Sequence, residues 1–297
     1  MDKKIRIESF KDVIYLTYCA LHGRVPSRQR LLKMKLSGVY TVSLGHGLGE
    51  VCARVLLAAG VRDRRFTALY KREMQRRQVT SKNKKALTDR LEEEKIWYMP
   101  LYGDGLGALY PYKGTRHTCG AEILVDSKYR LRLLEIIEEM GFYTDRYGEG
   151  NFDIYTLPPL GRIDIYTGML SVYPDDRAED YYSCIKRRLI SDKEGCQSYH
   201  LSQEDLYVYL LARDESFYKE GRFALSDVFD IFLYRRAFGS GLDREYIKRE
   251  LRWLRLDGFE RVLSKLADDL FCGSLPLSRE CAKMLYGVAV SEVKGKR

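Results

Sequence analysis

Along the first ninety residues, apolar side chains recur at helical spacing, the pattern of helices with one buried face. ESFKDVIYLTYCALHG predicts a helix that ends at Gly23. Pro26 opens a second, SRQRLLKMKLSG, closed by Gly38, and GEVCARVLLAAG stops at Gly60. Ser81 is placed to cap KNKKALTDRLEEEK, where Lys and Glu lie on neighbouring turns. From Ile96 the period changes. IWYMPL, AEILV, FYTDR, NFDIYT and RIDIYT are short, rich in β formers and bounded by Gly or Pro. Among them, DSKYRLRLLEIIEEMG is an amphipathic helix ending at Gly141. After Pro174 helical periodicity returns, with Ser202 and Ser226 as candidate caps. The order predicts an α+β protein: a small mixed β-sheet flanked by N-terminal and C-terminal helical regions. The expected divisions are 1–94, 95–174 and 175–297.

Composition leaves this picture intact: 45% of residues are hydrophobic and 31% charged, as in globular chains. No apolar run reaches the roughly 20 residues that a membrane helix needs, and MDKKIRIESF is not a signal peptide. A cytoplasmic protein is expected. The seven cysteines are scattered, without a C-x-x-C pair, and read as reduced thiols. The four histidines are too dispersed for a metal cluster and are expected in loops or at the surface.

Charge adds one feature. The net charge is +9, and residues 61–90 hold eleven Lys and Arg against three acids. Such a block attracts nucleic acid or an acidic protein; it is equally the mark of a solvated helix face.

The middle segment carries the candidate chemistry. Alternate residues of a strand share a face. Gly120, Glu122 and Leu124 therefore point one way, with Asp126 at the end of the run, and Arg162, Asp164 and Tyr166 share a face on RIDIY. If the two strands are neighbours, Glu122 and Asp164 converge. Arg116 is either a phosphate or carboxylate contact or a turn residue paired with a nearby acid such as Asp126. Asp164 either binds a metal or pairs with Arg162. GHGLGE (45–50) and GDGLG (103–107) are fragments of a dinucleotide fingerprint, too short to carry that reading.

In these positions the chain resembles the uncharacterised nucleotidyltransferase family, bacterial proteins on a polymerase-beta-like core. The family's Leu-Lys-Gly turn reads Leu101-Tyr102-Gly103 here, followed by Tyr110-Pro111 and Arg116. Its Asp-x-Asp and apolar run reads Gly120-Ala121-Glu122 and Ile123-Leu124-Val125, and its later acid-apolar-His reads Asp164-Ile165-Tyr166. The likeness covers roughly residues 95–240. It implies transfer of a nucleotide from a nucleoside triphosphate, with Gly103 and Arg116 binding the nucleotide and Glu122 and Asp164 holding Mg²⁺. Carboxylates suit that ion because it demands oxygen ligands.

The pattern departs where the metal would sit. Gly120 replaces the first Asp, Glu122 the second, Tyr102 the Lys and Tyr166 the His; Asp104 adds an anion beside the phosphate turn. Three functions remain: an eroded site in a protein that binds a ligand or partner, an active Mg²⁺-dependent enzyme, or a basic module gripping an anionic partner through residues 61–90.

Overall fold

The structure, a computed structural model, describes residues 3–101, 103–171, 173–273 and 276–290. Tyr102 and the Asp104 side chain lie outside what it describes.

The N-terminal chain forms α1 (Lys3–Leu21), α2 (Arg28–Lys33), α3 (Leu36–Gly45), α4 (Gly49–Ala58) and α5 (Arg64–Glu93). Gly23 and Gly60 take left-handed backbones beyond α1 and α4, as helix-stopping glycines do. Gly38 does not stop a helix. It is buried in the first turn of α3, and the break falls at Met34, whose backbone is extended. Packing of α3 on α1 outweighs the low helix propensity of glycine. Ser81 caps nothing, because α5 is one helix of 30 residues with neither Gly nor Pro inside it. It starts at Asp63, whose carboxylate accepts the Arg65 N–H at 2.9 Å.

Five strands form the sheet: β1 (Tyr98–Pro100), β2 (Ala121–Val125), β3 (Tyr143–Arg146), β4 (Phe152–Leu157) and β5 (Gly161–Tyr166). Their spatial order is β1-β2-β5-β4-β3, with β2 and β5 parallel and the other pairs antiparallel. Between β1 and β2 runs α6 (Gly103–Leu109), and between β2 and β3 runs α7 (Arg130–Glu139).

The pleat gives the sheet two unlike faces. Ala121, Ile123, Val125, Ile163 and Ile165 pack against Leu87 and Leu91 of α5 and Leu133, Ile136 and Ile137 of α7. The alternate positions, including Glu122, Leu124, Asp164 and Tyr166, face the helical body, where Leu124 joins the larger core. That body adds α8 (Asp176–Ser183), α9 (Gln203–Lys219), α10 (Leu225–Phe238), α11 (Arg244–Trp253), α12 (Asp257–Cys272) and α13 (Arg279–Val290). A small hairpin of β6 (Ile190–Ser191) and β7 (Tyr199–His200) flanks β1, where the Tyr98 N–H donates to the Gln197 carbonyl at 2.8 Å.

Phe10 of α1, Val51 of α4, Phe229 of α10, Leu266 of α12 and Val288 of α13 belong to one hydrophobic cluster. The core therefore runs across both expected segment boundaries. Ser202 caps α9, accepting the Asp205 N–H at 3.0 Å. Ser226 does not cap α10; Asp227 instead accepts the Ala224 N–H at 2.8 Å. His46 lies in the turn after α3, as expected of a loop residue, but is buried there, edge-on to Phe10 and accepting the Leu225 N–H. The α+β class and the mixed sheet flanked by helices are as the pattern predicts. No described helix is long and apolar enough to cross a membrane.

Candidate functional site

Glu122 and Asp164 sit side by side. They are register partners on the parallel strands β2 and β5, on the face turned to the helical body. Asp164 is 3% exposed and Glu122 half-buried. Burial pushes the Glu122 carboxyl above its usual range, and the Asp164 charge pushes it further; Arg116, Arg213 and Arg162 pull it back. Burial also raises Asp164, against the hydrogen bonds it accepts from Arg162.

Those bonds are bidentate. Arg162 Nε and Nη2 donate to the two Asp164 oxygens at 2.7 and 2.9 Å. Both residues lie on β5 two positions apart, so the pleat alone aims them the same way. Asp164 thus takes the pairing with Arg162 that the strand pattern allows.

Gly120 stands just before β2. A Cβ added there would lie 2.2 Å from the Arg162 carbonyl oxygen and 2.6 Å from its carbonyl carbon. The obstruction is backbone of the neighbouring strand, which cannot rotate aside. Position 120 is closed to any side chain, an aspartate included. A centre of two metal ions needs a bridging carboxylate there and free oxygens on Asp164; this donor set does not fit one. Among the described residues no group of three or more His, Cys, Asp or Glu is arranged to hold an ion.

The turn at Gly103 lies close by. The Leu101 N–H donates to the Glu122 carbonyl at 2.9 Å, and Gly103 opens α6 two residues later. Arg116 also reaches this face, but its partner is not Asp126. Its Nε donates to Asp230 Oδ2 on α10 at 2.9 Å, and both side chains are buried. Tyr110 donates its hydroxyl to the other Asp230 oxygen at 2.8 Å. Asp126 instead accepts the Lys128 N–H and caps a 3₁₀ turn.

Sequence reasoning missed the carboxylates in the helical half of this network, Asp214, Asp227 and Asp230. Arg213 of α9 donates to Asp214 Oδ1 at 2.9 and 2.5 Å and lies 3.6 Å from Asp227 and 4.0 Å from Asp230. Asp214 is fully buried, with Oδ2 lacking a hydrogen bond among the described residues. Burial lifts its carboxyl to about 8, against the pull of Arg213 and helped by Asp227 and Asp230. A signal was present: Arg213-Asp214 interrupts the apolar run LYVYLLA, and Asp227 and Asp230 share a face of LSDVFDIFLY.

The basic helix α5 closes one side. Arg76 pairs with Glu73 and donates to His117 Nδ1 at 2.9 Å, and Arg77 pairs with Glu50. Cys119 lies among Arg162, Glu122, Asp164 and Arg76, and burial raises its thiol to about 11. A buried neutral thiol is a poor nucleophile.

Residues 43–272, most of the chain, match the family described as uncharacterised nucleotidyltransferase. No curated protein matches the chain.

Proposed function

The chain belongs to the uncharacterised nucleotidyltransferase family, and from that premise we propose that its metal and nucleotide site is eroded and that it acts by binding a ligand or partner. The closed position at Gly120 carries this reading. A lost carboxylate whose space remained would mark one substitution. Here the Arg162 backbone fills the space, so the neighbouring strand has adapted to the glycine. The Arg162 guanidinium, held on both Asp164 oxygens, supplies from within the chain the positive charge that a metal brings to such a site. Removing a catalytic group from a unit of this kind costs on the order of 10³-fold or more in rate.

Calorimetric titration with ATP and GTP, with and without Mg²⁺, tests the reading. No magnesium-dependent heat is expected. Magnesium-dependent binding that Asp164→Ala abolishes would instead support an active Mg²⁺-dependent enzyme. That alternative draws on Glu122, which lies beside Asp164 and makes no side-chain ion pair among the described residues.

A further reading has its own support on α5. Arg64, Lys71 and Lys82 are exposed and have no ion-pair partner among the described residues. These cations would face a nucleic acid or acidic protein. Such binding should weaken steeply with salt and survive Asp164→Ala.

A further inference from the structure

We propose a second binding site, for a nucleoside monophosphate, in the cleft beside Trp253. The cleft lies between α8, with the 3₁₀ turn that follows it, and α11. Its cavity measures about 460 Å³, within the range of small-molecule sites. None of its lining residues belongs to the Glu122–Asp164 face, so the proposal stands whether or not that face is active.

The floor is fixed. Arg188 Nη1 lies within hydrogen-bonding distance of the Tyr181 hydroxyl at 2.8 Å, the Tyr246 hydroxyl at 3.0 Å, and the Asp205 and Glu250 carboxylates at 3.1 Å, and shares its two N–H groups among them. Tyr181 in turn donates to Glu250 at 2.8 Å. Arg188 is thus committed to structure, and Tyr181 is held where its ring supports Trp253, 5.6 Å between centroids.

The walls are less committed, although the Arg249 guanidinium lies over the Tyr246 ring at 5.0 Å. Trp253 is 50% exposed, whereas the other tryptophan, Trp97, is buried. A second cavity of about 570 Å³ also meets the Trp253 ring. The backbone turns just past Trp253 through Arg255, left-handed at φ +57°, a conformation uncommon for a residue with a side chain. The Arg187 guanidinium has no partner among the described residues. Arg249 uses Nε on Glu250 and remains 68% exposed. Asp180, also on the wall, is an acceptor only.

These groups define a ligand by complement. An exposed indole stacks on a planar ring. Two guanidiniums lining one cavity suit a phosphate. A carboxylate beside them repels a bare anion, yet accepts hydrogen bonds from a ribose hydroxyl or an exocyclic amine. Ring, phosphate and donors together describe a nucleoside monophosphate better than a simple anion.

The probe is AMP, with adenosine and inorganic phosphate as separate arms. Binding is followed by tryptophan fluorescence, by calorimetry, and by the alkylation rate of Cys184 in the cleft. Exposed Cys272, outside the cleft, is the internal reference. AMP should quench fluorescence saturably and slow alkylation of Cys184 but not of Cys272. Adenosine and phosphate should each bind on the order of tenfold more weakly or worse. Trp253→Leu and, separately, Arg187→Glu with Arg249→Glu should each weaken AMP on the order of tenfold, in variants whose circular dichroism and melting are unchanged. Asp164→Asn should leave AMP binding intact. The proposal falls if AMP at millimolar concentration neither quenches nor protects. It falls equally if calorimetric AMP binding survives Trp253→Leu or is lost in Asp164→Asn, or if phosphate binds as tightly as AMP.

Discussion

Between the sheet and the helices, Arg116, Arg162 and Arg213 are largely buried, and each lies against acids: Asp230, Asp164 and, for Arg213, the group of Asp214, Asp227 and Asp230. Beside Trp253, Arg187 faces solvent with no partner among the described residues, and Arg249 gives only one nitrogen to Glu250. The chemistry of the side chains is the same; the dielectric around them is not. In the interior an unmatched charge costs several kcal/mol, so an arginine there persists only with its acid. At the surface, water solvates the unmatched cation at little cost. The interior cluster has thus become part of the structure, while the outer arginines remain able to meet a ligand. A high density of charge does not by itself locate a binding site; unmatched charge beside a cavity is the better guide.

Asp230→Ala is the strongest way to break this contrast. It removes a buried carboxylate partner of Arg116 and the acceptor of Tyr110, and a loss of about 3–5 kcal/mol is expected in urea denaturation. A loss below 1 kcal/mol would mean that water reaches the cluster and that the two regions differ less than their burial implies.

Gly120→Asp restores the family pattern in sequence but forces a Cβ into the Arg162 backbone. A destabilisation of about 1–3 kcal/mol is expected, as for overpacked cores, with no magnesium affinity gained. A stable variant that binds Mg²⁺ would show that the space can reopen and would return the site to chemistry.

Asp214 sharpens the comparison through pH. The folded protein keeps the proton on this carboxyl up to about 8, while the unfolded chain releases it near the ordinary aspartate value of about 4. Between those values the folded state binds more protons, so this group makes stability fall as pH rises, by at most about 1.4 kcal/mol per pH unit. Asp214→Asn should flatten that slope in denaturation series from pH 5 to 8 and stabilise the protein most at the alkaline end. An unchanged slope would place the proton elsewhere in the cluster.

Arg187→Glu should have the smallest effect on folding, within about 0.5 kcal/mol, despite reversing a charge. A larger loss in thermal melts would reveal a structural partner for Arg187 and remove the contrast with the interior.

Much of the fold was legible because it rests on local rules. Ala121, Ile123 and Val125 alternate with Glu122 and Leu124, so the strand and its two faces follow from the pleat. Gly141 and Ser202 mark a helix end and a helix start through their own backbone and side-chain chemistry. Where local rules failed, packing had overruled them: Gly38 stays inside α3, Ser226 yields the cap of α10 to Asp227, and α5 runs on past Ser81. The candidate site divided the same way. That Glu122 and Asp164 each point to one side of a strand was readable. That Arg162 shares the side of Asp164 was also readable, because they lie two positions apart.

By itself, then, the sequence determined the α+β class, the strand faces and the substitutions at Gly120 and Glu122, since each depends on residues close in the chain. Tertiary structure alone decided that Arg116 meets Asp230, that Arg213 and Asp214 lie in the same layer, and that a strand backbone closes the space at Gly120. Arg116 and Asp230 are 114 positions apart, and no periodicity encodes which distant carboxylate a buried cation will find. That choice is made when burial removes water and leaves each charge only the partners the fold has brought within reach.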